Sequence, residues 1–208
     1  MKPLAFDAEL RARLALNLAR SEHAPLAERG LKRAAVCIIV TGDDRGEASL
    51  VLTLRTEHLS SHPSQFALPG GRIERGESAL DAARRETREE IDLELAPANF
   101  LGRLDDYATR SGYVITPLVA WCAGTSQLKP NPAEVAQIYR VPLADLGRPD
   151  SPEFVAIPES AQPVVRYPLR GTRRHSPTAA GSDQFMEVAL LGRATRVAHL
   201  EQPVWAWR

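Results

Sequence analysis

Residues 70–93 read GGRIERGESALDAARRETREEIDL: a double glycine, a third glycine at Gly76, then Ser78 to Ile91 with neither glycine nor proline. Such a stretch predicts a tight turn feeding directly into a helix. On that helix Leu80, Ala83, Thr87 and Ile91 share one face, which is expected to pack on a sheet. Glu86, Glu89 and Glu90 are related as i, i+3 and i+4, so their carboxylates gather on a different face, expected to point to solvent. Like charges at this spacing repel by a few tenths of a kcal/mol per pair, about the size of a helical ion pair with its sign reversed. A divalent cation would turn the repulsion into attraction, and hard oxygen donors suit Mg²⁺ or Mn²⁺. The glycines let the backbone approach a metal or a phosphate. Glu77 falls near the helix N-terminus, where the dipole favours negative charge. Arg85, two turns on, is placed to pair with Glu77 and brace the turn against the helix. On charge pattern alone, a solvated Glu/Arg helix is the better explanation of the stretch; register overturns it.

The flanking chain supplies a sheet. AAVCIIV (34–40) is an apolar, β-branched run and reads as a buried strand; TGDDRGEA is a turn, and SLVLTLRT a second strand. His58 to Pro69 has no period and is expected to be a loop. FLGRLDDYAT and YVITPLVAWCA read as strands around a turn at Ser111-Gly112, and KPNPAEVAQIYRVPLADL as loop, strand (134–141) and a short helical turn. Ahead of the sheet, Phe6, Leu10, Leu14 and Leu18 recur every four residues, an amphipathic helix with Asp7 at its start. From Gly147 prolines recur at 149, 152, 158, 163, 168 and 177, which argues against long regular elements. QFMEVALLGRATRVAHL within that part looks like a hairpin around Gly192. Three parts are expected: 1–30, a helix and connector; 31–150, the main domain; and 151–208, an irregular Pro-rich extension packed on it.

In register, Gly71, Glu77, Arg85, Glu86, Glu89, Glu90 and Leu93 match the signature G-x5-E-x7-R-E-U-x-E-E-x-G-U, where U is aliphatic. The segment resembles the Nudix box of the Nudix hydrolases. Two positions depart from it. Thr87 stands at the first U and keeps a β-branched shape; Asp92 stands where the box has glycine, and Asp tolerates a left-handed helix end better than most residues. The resemblance implies an α/β fold, an α/β/α sandwich around a mixed β-sheet, and hydrolysis of nucleoside diphosphates linked to a further group X. It implies metal ligation by Glu86, Glu89 and Glu90 with a backbone carbonyl near Gly71. It also implies that one of these carboxylates, or a Glu from a later loop, orients or deprotonates the attacking water. Glu134, in NPAEV, is a candidate for that later Glu, and equally reads as an exposed residue at a strand start. Arg85, Glu86 and Glu134 are thus the catalytic candidates.

Residues 51–71, VLTLRTEHLSSHPSQFALPGG, are similar to the element preceding the box in coenzyme A pyrophosphatases: Leu52, Thr53, Arg55, Pro69, Gly70 and Gly71 match. Ser60, Ser64 and Leu68 replace an arginine, a glycine and an aromatic. Arg55, Gly70 and Gly71 become substrate-binding candidates, and coenzyme A or an acyl-CoA the first substrate to consider. Diphosphates of the ADP-ribose or dinucleotide type are an alternative, and a non-catalytic Nudix domain binding a nucleotide-like ligand as a sensor is the rival from another class. His58 and His62 are expected to meet solvent or phosphate rather than metal, and Trp121, Trp205 and Trp207 to pack; His175 and His199 have no assigned partner.

Composition sets the outer bounds. Lys+Arg and Asp+Glu number 26 each, so nothing electrostatic favours a nucleic acid or a membrane surface as partner. No apolar run nears the roughly 20 residues that span a bilayer, and MKPLAFDAELRARL carries no secretory pattern. The two cysteines, Cys37 and Cys122, both lie in apolar runs and are expected to be buried thiols. A cytoplasmic protein acting on a small nucleotide is expected; pairing into a homodimer is left open.

Overall fold

The computed structural model describes residues 1–27, 30–59, 63–123, 128–169, 172–175 and 177–207. Helix α1 (Ala8–Arg20) is capped by the Asp7 side chain, which accepts the Leu10 N–H, and buries Leu10, Leu14 and Leu18. Strands β1 (Lys32–Gly42) and β2 (Ala48–Arg55) form an antiparallel pair, followed by short β3 (Phe66–Ala67) and β4 (Gly70–Arg72). Helix α2 (Ala79–Ile91) comes next, then β5 (Phe100–Arg103), β6 (Tyr107–Ala108), β7 (Tyr113–Trp121), β8 (Val135–Pro142) and the single turn α3 (Leu143–Leu146). The main sheet runs β3-β2-β1-β7-β5, with β4 on β1, β6 on β7 and β8 on β2. Among the described residues β1 and β7 pair in parallel and the other neighbours antiparallel, so the sheet is mixed.

β1 is buried on both faces, which is why its sequence is a continuous apolar run rather than an alternation. Ala35, Cys37 and Ile39 turn to α2, meeting Ala82, Ala83 and Ile91. Ile38 and Val40 turn the other way, to α1, α3 and the C-terminal part. The result is an α/β/α sandwich. Both cysteines are free and buried, and among the described residues no helix is long and apolar enough to cross a membrane.

The C-terminal part is more regular than its prolines suggest. β9 (Glu153–Ile157), β10 (Ser160–Leu169) and β11 (Thr172–His175) form a second antiparallel sheet with β10 in the middle. Its two prolines sit where a missing N–H does little harm: Pro163 in the irregular register between Ser160 and Val164, Pro168 beyond the end of β9's pairing. Nor is 184–200 a hairpin. Helix α4 (Thr178–Gln184) continues as a π-helical stretch, Phe185–Leu190. Phe185, Val188 and Ala189 are buried at the helical spacing i, i+3, i+4. Gly192, at φ 68°, ends that helix in the left-handed conformation instead of turning a hairpin.

This part is fastened to the sandwich. Arg196 donates to Asp105 at 2.8 Å, Tyr107 donates its hydroxyl hydrogen to the Leu200 carbonyl at 2.9 Å, and Arg110 pairs with Glu201 while lying over the Trp207 ring. Trp121 is buried and stacks on Phe6 with 4.0 Å between centroids, whereas Trp205 is exposed.

Candidate functional site

The turn before α2 depends on two glycines. Gly70, at φ 153°, lies so close to β1 that a Cβ would collide with the Ala35 carbonyl and Val36 Cα. A Cβ on Gly71 would overlap the Glu86 carboxylate. The chain then enters α2 through Ser78, whose hydroxyl accepts the Asp81 N–H at 3.1 Å. It leaves through Asp92, which adopts the left-handed conformation (φ 55°, ψ 38°). Thr87 fits a fully buried position because its hydroxyl donates to the Ala83 carbonyl at 2.9 Å.

Arg85 binds the turn to the helix. Its Nε and Nη2 donate to the two Glu77 oxygens at 3.0 and 3.1 Å, and Nη2 also donates to the Arg72 carbonyl at 2.9 Å. Nη1 donates to Glu86 at 2.8 Å and to Glu89 at 3.1 Å. Every N–H of the guanidinium is therefore used. Glu77 also accepts the Glu74 N–H at 2.9 Å. The Arg85 hydrogen bonds hold the Glu77 carboxyl below its ordinary range.

The three helix glutamates do not share one environment, contrary to the expectation that all face solvent. Glu89 is exposed, with 46% of its side chain accessible, and Glu86 retains 14%. Glu90 is buried, at 3%. The packed face centres on Ala82, Ala83, Thr87 and Ile91, with Leu80 only half-buried, and this rotation carries Glu90 inward. Glu90 accepts the Gly70 N–H at 3.3 Å and has the Arg55 guanidinium 4.0 Å away. Burial first, then the charges of Glu86 and Glu134, push its pKa up to about 8 against the pull of Arg55 and Gly70. Burial likewise raises Glu86 despite its bond to Arg85.

Glu134, just before β8, is near enough for its charge to be felt by Glu86 and Glu90. It is half-buried, and its backbone carbonyl accepts the Thr56 N–H at 3.0 Å. Among the described residues no three acidic, His or Cys side chains form a ready-made cation cage: Arg85 draws Glu86 and Glu89 one way, while Gly70 and Arg55 draw Glu90 another. The donor set still suits a hard divalent ion. It is all oxygen, it is short of positive charge where Glu86, Glu90 and Glu134 oppose one another, and Gly71 leaves room for its backbone to approach.

A cavity of about 560 Å³ adjoins this point. Arg55, Gly70 and Gly71 line it together with Thr178, Gly181 and Gln184 of the C-terminal part. Arg55 Nε is buried without a hydrogen-bond partner among the described residues. Sequence reasoning missed Lys32, Arg72 and Tyr113, which also line the cavity. The position of Lys32 at the start of β1, two residues before the apolar run, was the available signal for the first of them. His58 is exposed beside Glu57, and His199 is exposed. His62 and Ser60 lie outside the described residues.

The NUDIX domain family profile matches residues 31–158. The chain is 35% identical over 113 residues to the uncharacterized Nudix hydrolase NudL of Yersinia pestis (strain Pestoides F), covering 54% of this chain and 56% of that protein. The same figures hold for NudL of Yersinia pseudotuberculosis serotype O:1b (strain IP 31758). The match thus spans about half the length of these relatives. Solved structures with a similar chain path include a MutT/nudix family protein from Enterococcus faecalis, at TM-score 0.48 and 15% identity over 80% of this chain and 62% of that one. Another is the NUDIX domain of Shewanella oneidensis NrtR complexed with ADP ribose, at TM-score 0.45 and 22% identity over 66% and 88%. With the profile covering more than half of its length and the box in register on α2, the chain belongs to the Nudix family.

Proposed function

We propose that this protein is a Mg²⁺- or Mn²⁺-dependent diphosphatase that hydrolyses the diphosphate linkage of a nucleoside-diphosphate-X substrate. The observation that carries the reading is the convergence of Glu86 and Glu90 on the Gly70–Gly71 turn, within electrostatic reach of Glu134, beside a cavity of nucleotide size. Glu86, Glu89, Glu90 and the Gly71 carbonyl are the groups that would hold the metal. A bound divalent ion supplies charge neutralisation for a diphosphate and a more acidic water. Arg55, which lines the cavity, donates to a phosphate oxygen. Gly70 and Gly71 let the diphosphate reach the backbone. Glu134, which has no arginine partner among the described residues, accepts the proton of the attacking water. Arg85 is a positioning residue: all its donors are spent on Glu77, Glu86, Glu89 and the Arg72 carbonyl. A cytoplasmic setting accompanies this reading, since Cys37 and Cys122 are free and buried thiols.

Within the class, coenzyme A or an acyl-CoA is the first substrate to try, on the strength of the matches at Leu52, Thr53, Arg55, Pro69, Gly70 and Gly71. The test is a screen of CoA, dinucleotides, nucleotide sugars, ADP-ribose and nucleoside triphosphates with each metal. Metal-dependent release of a nucleoside monophosphate or its phosphorylated counterpart, lost in Glu90→Gln, supports the reading. Binding of a nucleotide without turnover of any substrate would instead favour a sensor domain.

A further inference from the structure

The cavity floor is a regular grid. Lys32, Ala34 and Val36 of β1 line it, and their parallel partners Tyr113, Ile115 and Pro117 of β7 line it beside them. Across the antiparallel pairing with β4, Val36 faces Gly70 and Ala34 faces Arg72. Gly70 marks the row at which the diphosphate is proposed to bind. Arg72 stands one row away and Lys32 two rows away, about 7 and about 13 Å along the strand direction.

Both cations are held on the same ring. The Arg72 guanidinium lies 5.5 Å and the Lys32 ammonium 5.8 Å from the Tyr113 centroid, within cation–π range. Neither has an ion-pair partner among the described residues. That sets them apart from their neighbours: Arg33 pairs with Asp106, Arg85 with Glu77, Arg110 with Glu201 and Arg196 with Asp105. Two cations thus share one aromatic at the cavity wall, away from the Gly70 turn, with no carboxylate paired to either among the described residues.

Resting on the diphosphatase reading, we infer that the preferred substrate carries an additional phosphomonoester on its sugar, bound by Lys32 and Arg72 against Tyr113. The spacing suits it, since a ribose and its phosphate extend over about the one to two rows that separate Gly70 from these cations.

The experiment uses three matched pairs that differ by a single phosphate: CoA and 3′-dephospho-CoA, NADPH and NADH, and 2′-phospho-ADP-ribose and ADP-ribose. The wild type is expected to prefer the phosphorylated member of at least one pair, chiefly through KM and less so at high salt. Lys32→Ala and Arg72→Ala should each lower that preference ratio about tenfold, the usual scale of one charge-assisted contact, and Arg72→Lys should keep part of it. Absence of preference in every pair, or a ratio unmoved by both alanine variants, overturns the inference. If no diphosphate is hydrolysed at all, the diphosphatase reading fails, and calorimetry with adenosine 3′,5′-bisphosphate against AMP decides the subsite separately. Tighter binding of the bisphosphate that disappears in the variants supports it; equal binding of the two ligands refutes it.

Discussion

Arg85 and Glu77 offer a quantitative test of how the turn is held. Arg85→Ala removes five hydrogen bonds: two to Glu77, one each to Glu86 and Glu89, and one to the Arg72 carbonyl. The Glu89 contact is worth little, because that side chain is 46% accessible. The Glu77 and Glu86 contacts are better shielded, with only 14% of each side chain accessible, and losing a charged partner there leaves like charges facing one another. We expect Arg85→Ala to cost about 3 kcal/mol. Glu77→Gln keeps an acceptor but no charge, and should cost about 1.5 kcal/mol. The double variant should lose little more than Arg85→Ala alone, a coupling of about 1–1.5 kcal/mol.

Urea unfolding in the presence of EDTA, followed by tryptophan fluorescence, measures all three without interference from metal. Hydrogen exchange should show the 70–76 turn loosened in either single variant. Because the folded-state pKa of Glu77 is depressed, its share of the stability is present above the unfolded carboxylate pKa and is lost as pH falls through the folded value. The coupling should therefore shrink as pH falls below the ordinary carboxylate range. Additivity within about 0.5 kcal/mol at neutral pH would refute the brace.

Three further perturbations probe other parts of the site. Glu90→Gln should abolish Mn²⁺ binding by calorimetry. In metal-free buffer the wild type should lose stability as pH rises from the unfolded carboxylate pKa toward about 8, because its folded pKa is raised, and the variant should lack that slope; an identical slope in both would disprove the burial argument. Gly71→Ala should lower kcat by at least about tenfold with a near-normal melting temperature, since its Cβ displaces the Glu86 carboxylate rather than core atoms; unchanged kcat would mean that Glu86 does not act there. Gly192→Ala should destabilise by about 1–2 kcal/mol, since it places a side chain at φ 68° with its Cβ 3.1 Å from Asn17 Oδ1; a neutral effect in urea unfolding would argue against a helix ending at that residue.

The parts of this chain legible in sequence are those whose partners are close or whose period is unambiguous. β1 and β2 announce themselves by apolar runs with a turn between them. The limits of α2 follow from Ser78 at one end and Asp92 at the other, and the Glu77–Arg85 contact spans only eight residues. What the sequence hid is non-local. Thr178 donates to the Phe66 carbonyl across 112 residues, and that contact helps make the C-terminal part a wall of the cavity. Gly192 illustrates a different failure. A glycine between apolar runs serves a hairpin or a helix end equally well, and the buried spacing of Phe185, Val188 and Ala189, not the glycine, distinguishes them. The prolines misled because a strand excludes them only where both its edges are paired.

The burial of Glu90 connects the fold to the chemistry. Helical spacing alone puts three carboxylates near one another but says nothing about their depth. Depth comes from Ala82 and Ala83, whose small side chains are fully buried against β1 and let α2 lie close to the sheet. It comes equally from Gly70, which lets the preceding turn lie on that strand. A larger side chain at either place would lift the helix and return Glu90 to water, where its charge would be screened and would bind a cation weakly. Held as it is, Glu90 is costly to ionise until positive charge arrives. On the proposed reading, the close packing that forms the core beneath α2 also favours a cation at its rim, and Mn²⁺ should then raise the melting temperature of the folded chain.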